Sequence, residues 1–220
     1  MDMKKFHHVE KTWELTNLKT TTNNGSRYYV LDENLLPSVT TVTGHKKKAF
    51  FAEWRRKNPD ESKRVLVRGN KLHSVIEDYI NNKEIDISAI PVNEAQLFIQ
   101  LLPELNKIDN VYEQESPLWS LMIGLAGRVD CVAEYDGKLS IIDFKGSTRR
   151  KRPSDIKEYF MQATAYAIMW QERTGIPIHQ VAILMSCEDG HTESFVDDPR
   201  SHVKNLKQMI EDYKREHPFG

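Results

Sequence analysis

The spacing of apolar residues changes along the chain, and each change marks an element. Around Asn23-Asn24-Gly25, strand-like stretches on both sides of a turn signal predict an N-terminal β-hairpin, followed by the Pro-initiated, β-branched lead-in Pro37–Val42. From His45 to Lys57, and again from Pro59 to Asn82, helical spacing predicts two helices, with Gly69 as a break in the second. A third helical stretch covers Val92–Ile108, kinked or shortened at Pro103. The period then drops to two: Asn110–Ser116, Trp119–Tyr135 and Lys138–Gly146 read as antiparallel strands in quick succession. After a basic loop, helical spacing returns over Ile156–Gly175, with Asp155 placed to cap its start and Gly175 and Pro177 to end it. A strand at Ile178–Ser186, a tight turn at Asp189-Gly190 and a helix from about Asp198 to Glu216 complete the pattern. This order predicts a mixed α/β domain. It divides into an N-terminal hairpin extension over residues 1–36 and a main domain over 37–220, with a helical insertion at about 44–81.

Composition narrows the partners more than the fold. The 31 basic and 32 acidic residues leave a net charge of −1, so no whole-molecule field draws in nucleic acid or a membrane, and any polyanion site must be local. The sequence has no run of about 18 apolar residues, and its start, MDMKKFHHVE, has neither a signal-peptide core nor transit-peptide character. The expectation is a soluble chain with no membrane partner. Cys131 and Cys187 have neither a disulfide framework nor metal-ligand spacing and are expected as core thiols in a reducing compartment.

Candidate chemistry concentrates in GRVDCVAEYDGKLSIIDFKGS, Gly127–Ser147. Asp136-Gly137 is a strong two-residue hairpin signal, and it places Tyr135 opposite Lys138 and therefore Asp130 opposite Asp143. Opposed residues share a sheet face with Cβ atoms about 4.5–5.5 Å apart, where like charges repel. Lys145 joins Asp143 on its face, while Ile142 and Phe144 point the other way. A hard divalent cation resolves the repulsion, and an ammonium beside it suits a nucleophilic water or developing phosphate charge. The ordinary alternative is an ion-pair cluster at a strand end.

Further constellations support the site. His73 and Glu77 lie four apart on one helix face, as do Gln162 and Tyr166. The run Arg149–Arg152 follows just after Lys145, and the helix His45–Lys57 interleaves Lys and Arg with Phe50, Phe51 and Trp54, a combination suited to single-stranded nucleic acid. Aromatics packed inward beneath a solvated charged face are the plain alternative for that helix.

Taken together, Gly69-Asn70-Lys71-Leu72-His73, Glu115, Asp130, Asp143-Phe144-Lys145 and Gln162-Ala163-Thr164-Ala165-Tyr166 stand in the order of a known pattern. They resemble the PD-(D/E)XK nuclease superfamily and, within it, the RecB-like exonuclease branch, which has organellar, phage and bacterial members. The resemblance covers Pro37 to the last helix. It implies a restriction-endonuclease-like core, α/β, with a central mixed β-sheet flanked by helices. It also implies metal ligation of Mg²⁺ or Mn²⁺ by His73, Asp130, Asp143 and the Phe144 carbonyl, with Lys145 catalytic and Glu115 orienting water. Gln162 and Tyr166 would order the wall or contact DNA, with Ser147, Arg149 and Arg150 as further DNA contacts. Gly146 departs from the pattern, where Thr is usual, which weakens any phosphate contact from that position. The implied activity is metal-dependent hydrolysis of single-stranded DNA with a free end, in replication, recombination or repair. A structure-specific endonuclease and a non-catalytic DNA-binding module are the competing readings. A Cas4-like version is disfavoured, because two cysteines cannot supply a four-ligand iron–sulfur site. The implied location is the cytoplasm of a bacterial or phage-infected cell, ahead of a trimmed organellar form.

Overall fold

Two separate sheets organise residues 3–217, the part of the chain described by this computed structural model. The smaller sheet is antiparallel and contains β1 (Lys19–Asn23), β2 (Ser26–Leu31) and β3 (Asn34–Pro37). Asn24 and Gly25 both adopt left-handed backbone, as this tight hairpin requires. The β-branched lead-in does not stay extended. Val39–Thr43 wind into α1 because the Ser38 hydroxyl accepts the Thr41 amide at 3.0 Å, a local cap that outweighs the strand preference of Val and Thr.

A 3₁₀ turn at His45–Lys47 leads into α2 (Lys48–Lys57), α3 (Pro59–Ile80) and α4 (Val92–Leu105). Gly69 does not break α3. A mid-helix glycine costs about 1 kcal/mol, and buried Arg68 and Leu72 on either side hold the helix through it. Pro103 sits in the last turn of α4, just before its end.

The larger sheet has the order β4 (Ile108–Ser120), β5 (Leu125–Tyr135), β6 (Lys138–Ser147), β7 (Gln180–Cys187) and β8 (Thr192–Asp197). Only β6 and β7 run parallel, so the sheet is mixed. The expected strand over Trp119–Tyr135 is divided: Trp119 and Ser120 finish β4, and the chain reverses before β5. Ser120 Oγ accepts the Ile123 amide, Gly124 turns at positive φ, and the apolar Leu121 and Met122 are left exposed. The helix α5 (Lys157–Thr174) also starts differently from expectation. Asp155 lies in a preceding 3₁₀ turn and accepts the Arg152 amide, so Ile156 occupies the N-cap without a side-chain bond. Gly175, at φ 75°, ends α5. A 3₁₀ turn, Pro199–His202, precedes α6 (Val203–Glu216).

Alternation along the strands feeds two cores. Cys131, Ile142, Phe144 and Leu184 pack against α3 and α4, while Val129, Ile141, Val181 and Met185 pack against α5 and α6. Each fully buried Leu, Ile or Phe contributes about 1.5–3 kcal/mol, and both faces of the sheet are covered in this way. The N-terminal segment closes the outer edge of β4, where the Val9 amide donates to the Val111 carbonyl and the Val111 amide to His7. Both cysteines are buried. No helix among the described residues is long and apolar enough to cross a membrane.

Candidate active site

The site forms where β5 parts from both neighbours. Its ladder with β6 keeps the expected register from Tyr135↔Lys138 to Cys131↔Ile142, then stops one pair short of Asp130 and Asp143. On its other side, the pairs Gln114↔Cys131 and Ser116↔Val129 leave Glu115 and Asp130 unpaired between them. Asp130 and Asp143 therefore do not stand opposed on one face. Val129 packs toward α5 and Cys131 toward α3 and α4, so the alternation of β5 turns over at Asp130. The Asp130 carboxylate enters the gap, and its Oδ2 accepts the Phe144 amide at 3.0 Å. This arrangement avoids the repulsion of directly opposed carboxylates and satisfies an amide that the ladder has released. Phe144 itself is buried, and because a residue's amide and carbonyl face the same side of a strand, its carbonyl is directed toward the same gap.

Glu115 faces this gap from β4 with φ 45°, left-handed backbone that costs a non-glycine residue on the order of 1–3 kcal/mol. His73, from α3, brings Nδ1 to 3.6 Å from Asp130 Oδ2. The ligand atoms of His73, Glu115 and Asp130 all lie within 4.8 Å of one another. The Glu115 carboxyl is pushed up to about 7, first by burial and then by the Asp130 charge, with His73 working in the opposite direction.

Asp143 is held from α5. Its Oδ1 accepts Lys145 Nζ at 2.7 Å and Gln162 Nε2 at 2.9 Å, while Oδ2 is buried without a partner. Burial raises its carboxyl above the usual range and the Asp130 charge adds to this, against the opposing pull of Lys145. Burial also works against the Lys145 charge, yet Asp143 and Asp130 hold its ammonium above the ordinary lysine range. The Tyr159 ring lies 5.1 Å from Lys145 Nζ. One imidazole, clustered carboxylates and the orphaned Asp143 Oδ2 form a donor set that fits a hard divalent ion such as Mg²⁺ or Mn²⁺.

The remaining sequence candidates divide. Gln162 and Tyr166 are both buried in the wall of the site, and Gln162 also lines the cavity beside Lys145. A Cβ at Gly127 would fall 2.6 Å from the Tyr166 hydroxyl, so this glycine is what admits the tyrosine. The Ser147 hydroxyl is spent within its own turn, donating to the Arg149 carbonyl at 2.7 Å. Arg150 is held by Asp189 and Glu193, whereas Arg149 is exposed and forms no ion pair among the described residues. At Gly146, a Cβ would come within 3.2 Å of Leu72, and the Gly146 carbonyl accepts Arg68 Nη2 at 3.3 Å, so glycine here serves the packing of α3. Sequence reasoning missed Tyr159, although it lies three residues before Gln162 on the same helix face.

The sequence profile of the PD-(D/E)XK nuclease superfamily matches residues 94–217, more than half of the chain and all five strands of the larger sheet. The chain belongs to this superfamily. Its mixed five-stranded sheet with helices on both faces is the fold expected of a PD-(D/E)XK core. Among curated proteins, it is 28% identical over 138 residues to mitochondrial genome maintenance exonuclease 1 of Homo sapiens, covering 55% of this chain and 39% of that protein. The Mus musculus counterpart gives 28% over 134 residues, with 55% and 40% covered. The chain thus spans about two-fifths of the length of these relatives. A crystal structure of a candidate exonuclease from Eubacterium rectale aligns with a TM-score of 0.47 at 10% identity, over 69% of this chain and 65% of that one.

Proposed function

We propose that this protein is a Mg²⁺- or Mn²⁺-dependent exonuclease that degrades single-stranded DNA from a free end, in replication, recombination or repair. The observation that carries the metal dependence is the gathering of His73, Glu115 and Asp130 beside a buried, unpartnered Asp143 oxygen. His73, Glu115, Asp130 and Asp143 would hold the ion, with the Phe144 carbonyl directed to the same gap. A bound divalent cation supplies positive charge to the scissile phosphate and acidifies water.

The chain's own groups do the rest. Lys145 keeps its proton because Asp143 and Asp130 hold it, so its role is to donate to the attacking water or the phosphate oxygen rather than to act as the base. Gln162 fixes Asp143, and so fixes Lys145 through their shared Oδ1. Preference for a single strand is supported by α2, which buries none of its residues and presents Phe50, Phe51 and Trp54 to a cavity of about 700 Å³ also lined by Arg68 and Arg149. The exonuclease names of the relatives favour action at ends.

The test is degradation of end-labelled linear single-stranded, linear double-stranded and circular single-stranded DNA with Mg²⁺, Mn²⁺ or EDTA, comparing wild type with Lys145→Ala. Metal-dependent loss of linear single strands, with circles spared and the variant inactive, is expected. Cut circles would replace the exonuclease reading with an endonuclease one. Tight DNA binding without any cleavage would favour the non-catalytic module.

A further inference from the structure

Three adjoining cavities share Lys151 in their lining, and one of them borders Lys145. That one, of about 380 Å³, lies between α1 and the start of α5 and is bounded by Thr40, Lys47, Phe51, Tyr159 and Lys151. It adjoins the cavity beneath α2, of about 700 Å³, through Phe51 and Tyr159, and a basic cleft of about 910 Å³ through Lys47.

The charges around the middle cavity are mostly cancelled. Lys145 is paired with Asp143 at 2.7 Å, Lys47 with Glu158 at 2.8 Å, and Asp155 with Arg152 at 3.3 Å. Lys151, half-buried, has no ion pair among the described residues and is the uncompensated charge of that cavity. The loop's basic run therefore splits: Arg150 and Arg152 are spent on Glu193 and Asp155, and Lys151 is left to line the cavity that also borders Lys145. A lone cation over a half-buried pocket attracts an anion strongly, because neighbouring low-dielectric walls limit screening. Tyr159 and Phe51 add ring faces against which a sugar or base can rest.

We propose that this cavity is a nucleotide subsite next to the scissile bond, with Lys151 as the contact for the neighbouring phosphate of the single strand. The subsite rests on the nuclease reading above and adds a binding residue to it. Such a contact has its own signature: each phosphate neutralised on a single strand contributes about 0.7 to the slope of log affinity against log salt.

The experiment binds a fluorescent thymidine oligonucleotide to the Asp130→Asn protein, whose asparagine can still accept the Phe144 amide, across a salt series without metal. Adding Lys151→Ala is expected to weaken binding severalfold and to lower the slope by about 0.7. Lys151→Arg restores both, and Lys204→Ala on α6 changes neither. An unchanged slope in the Lys151→Ala protein, with wild type still cleaving DNA, would overturn the subsite and leave the nuclease reading standing. Absence of oligonucleotide binding by the parent, together with no cleavage by wild type, would remove both. Melting curves for each variant confirm that the fold is retained.

Discussion

Glu113 and Glu115 lie two residues apart on β4, and their surroundings are opposite. Glu113 is buried and fully occupied: it accepts Trp13 Nε1 at 2.8 Å, Lys11 Nζ at 2.9 Å and the Ser116 hydroxyl. Glu115 is half-buried on left-handed backbone, has no side-chain hydrogen bond among the described residues, and faces a second carboxylate and an imidazole. One residue type in one strand thus performs two tasks. Glu113 ties the N-terminal segment to the sheet, whereas Glu115 is kept short of partners and ready for a cation. A buried carboxylate that has spent its oxygens is structural, and one that is crowded and unspent marks chemistry.

The widest separation between the two should appear in cleavage. Glu115→Gln should lower the rate roughly a hundredfold or more, while Glu113→Gln retains most of it, as read from initial rates on linear single-stranded DNA. Stability should separate them in the other direction. Glu113→Ala leaves Trp13 and Ser116 donors unsatisfied and should cost about 2–3 kcal/mol by urea denaturation, with Glu115→Gln no less stable than wild type.

A smaller effect lies in pH. The Glu115 carboxyl is raised from 4.5 to about 7, so the folded protein holds this proton more tightly than the unfolded chain. In EDTA, its contribution to stability should therefore fall as pH rises from about 4.5 through about 7. Asp143, also raised, acts in the same sense. Glu115→Gln should flatten that part of the stability profile, as read from urea denaturation across about pH 4 to 8. A profile left unchanged by Glu115→Gln would contradict the raised Glu115 carboxyl.

The sheet around these residues was readable where local rules dominate. Asp136-Gly137 sets the register of β5 and β6, and the period of two places Lys145 beside Asp143, now at 2.7 Å. The gap at Asp130 was not readable, because it depends on two ladders failing at the same residue and on Glu115 turning left-handed between them. Period-two reasoning therefore put Asp130 on a face, when its carboxylate lies between strands. Helix boundaries failed for similar reasons: Ser38 recruits β-branched residues into α1, and packing carries α3 through Gly69. The basic loop shows the same limit. Arg150 and Lys151 are adjacent and equivalent as letters, but β8 supplies Glu193 to one and no described residue pairs the other.

The central claim is that Glu115, His73 and Asp130 form a divalent cation site beside Asp143. Its most direct test is titration of Mn²⁺ into the metal-free protein at pH 8, followed by electron paramagnetic resonance, for wild type, Glu115→Gln, Asp130→Asn and Glu113→Gln. Saturable binding by wild type and Glu113→Gln, weakened at least about tenfold in the other two, is the predicted result. Mn²⁺ affinity unchanged by Glu115→Gln and Asp130→Asn, or no binding by wild type, would contradict the account.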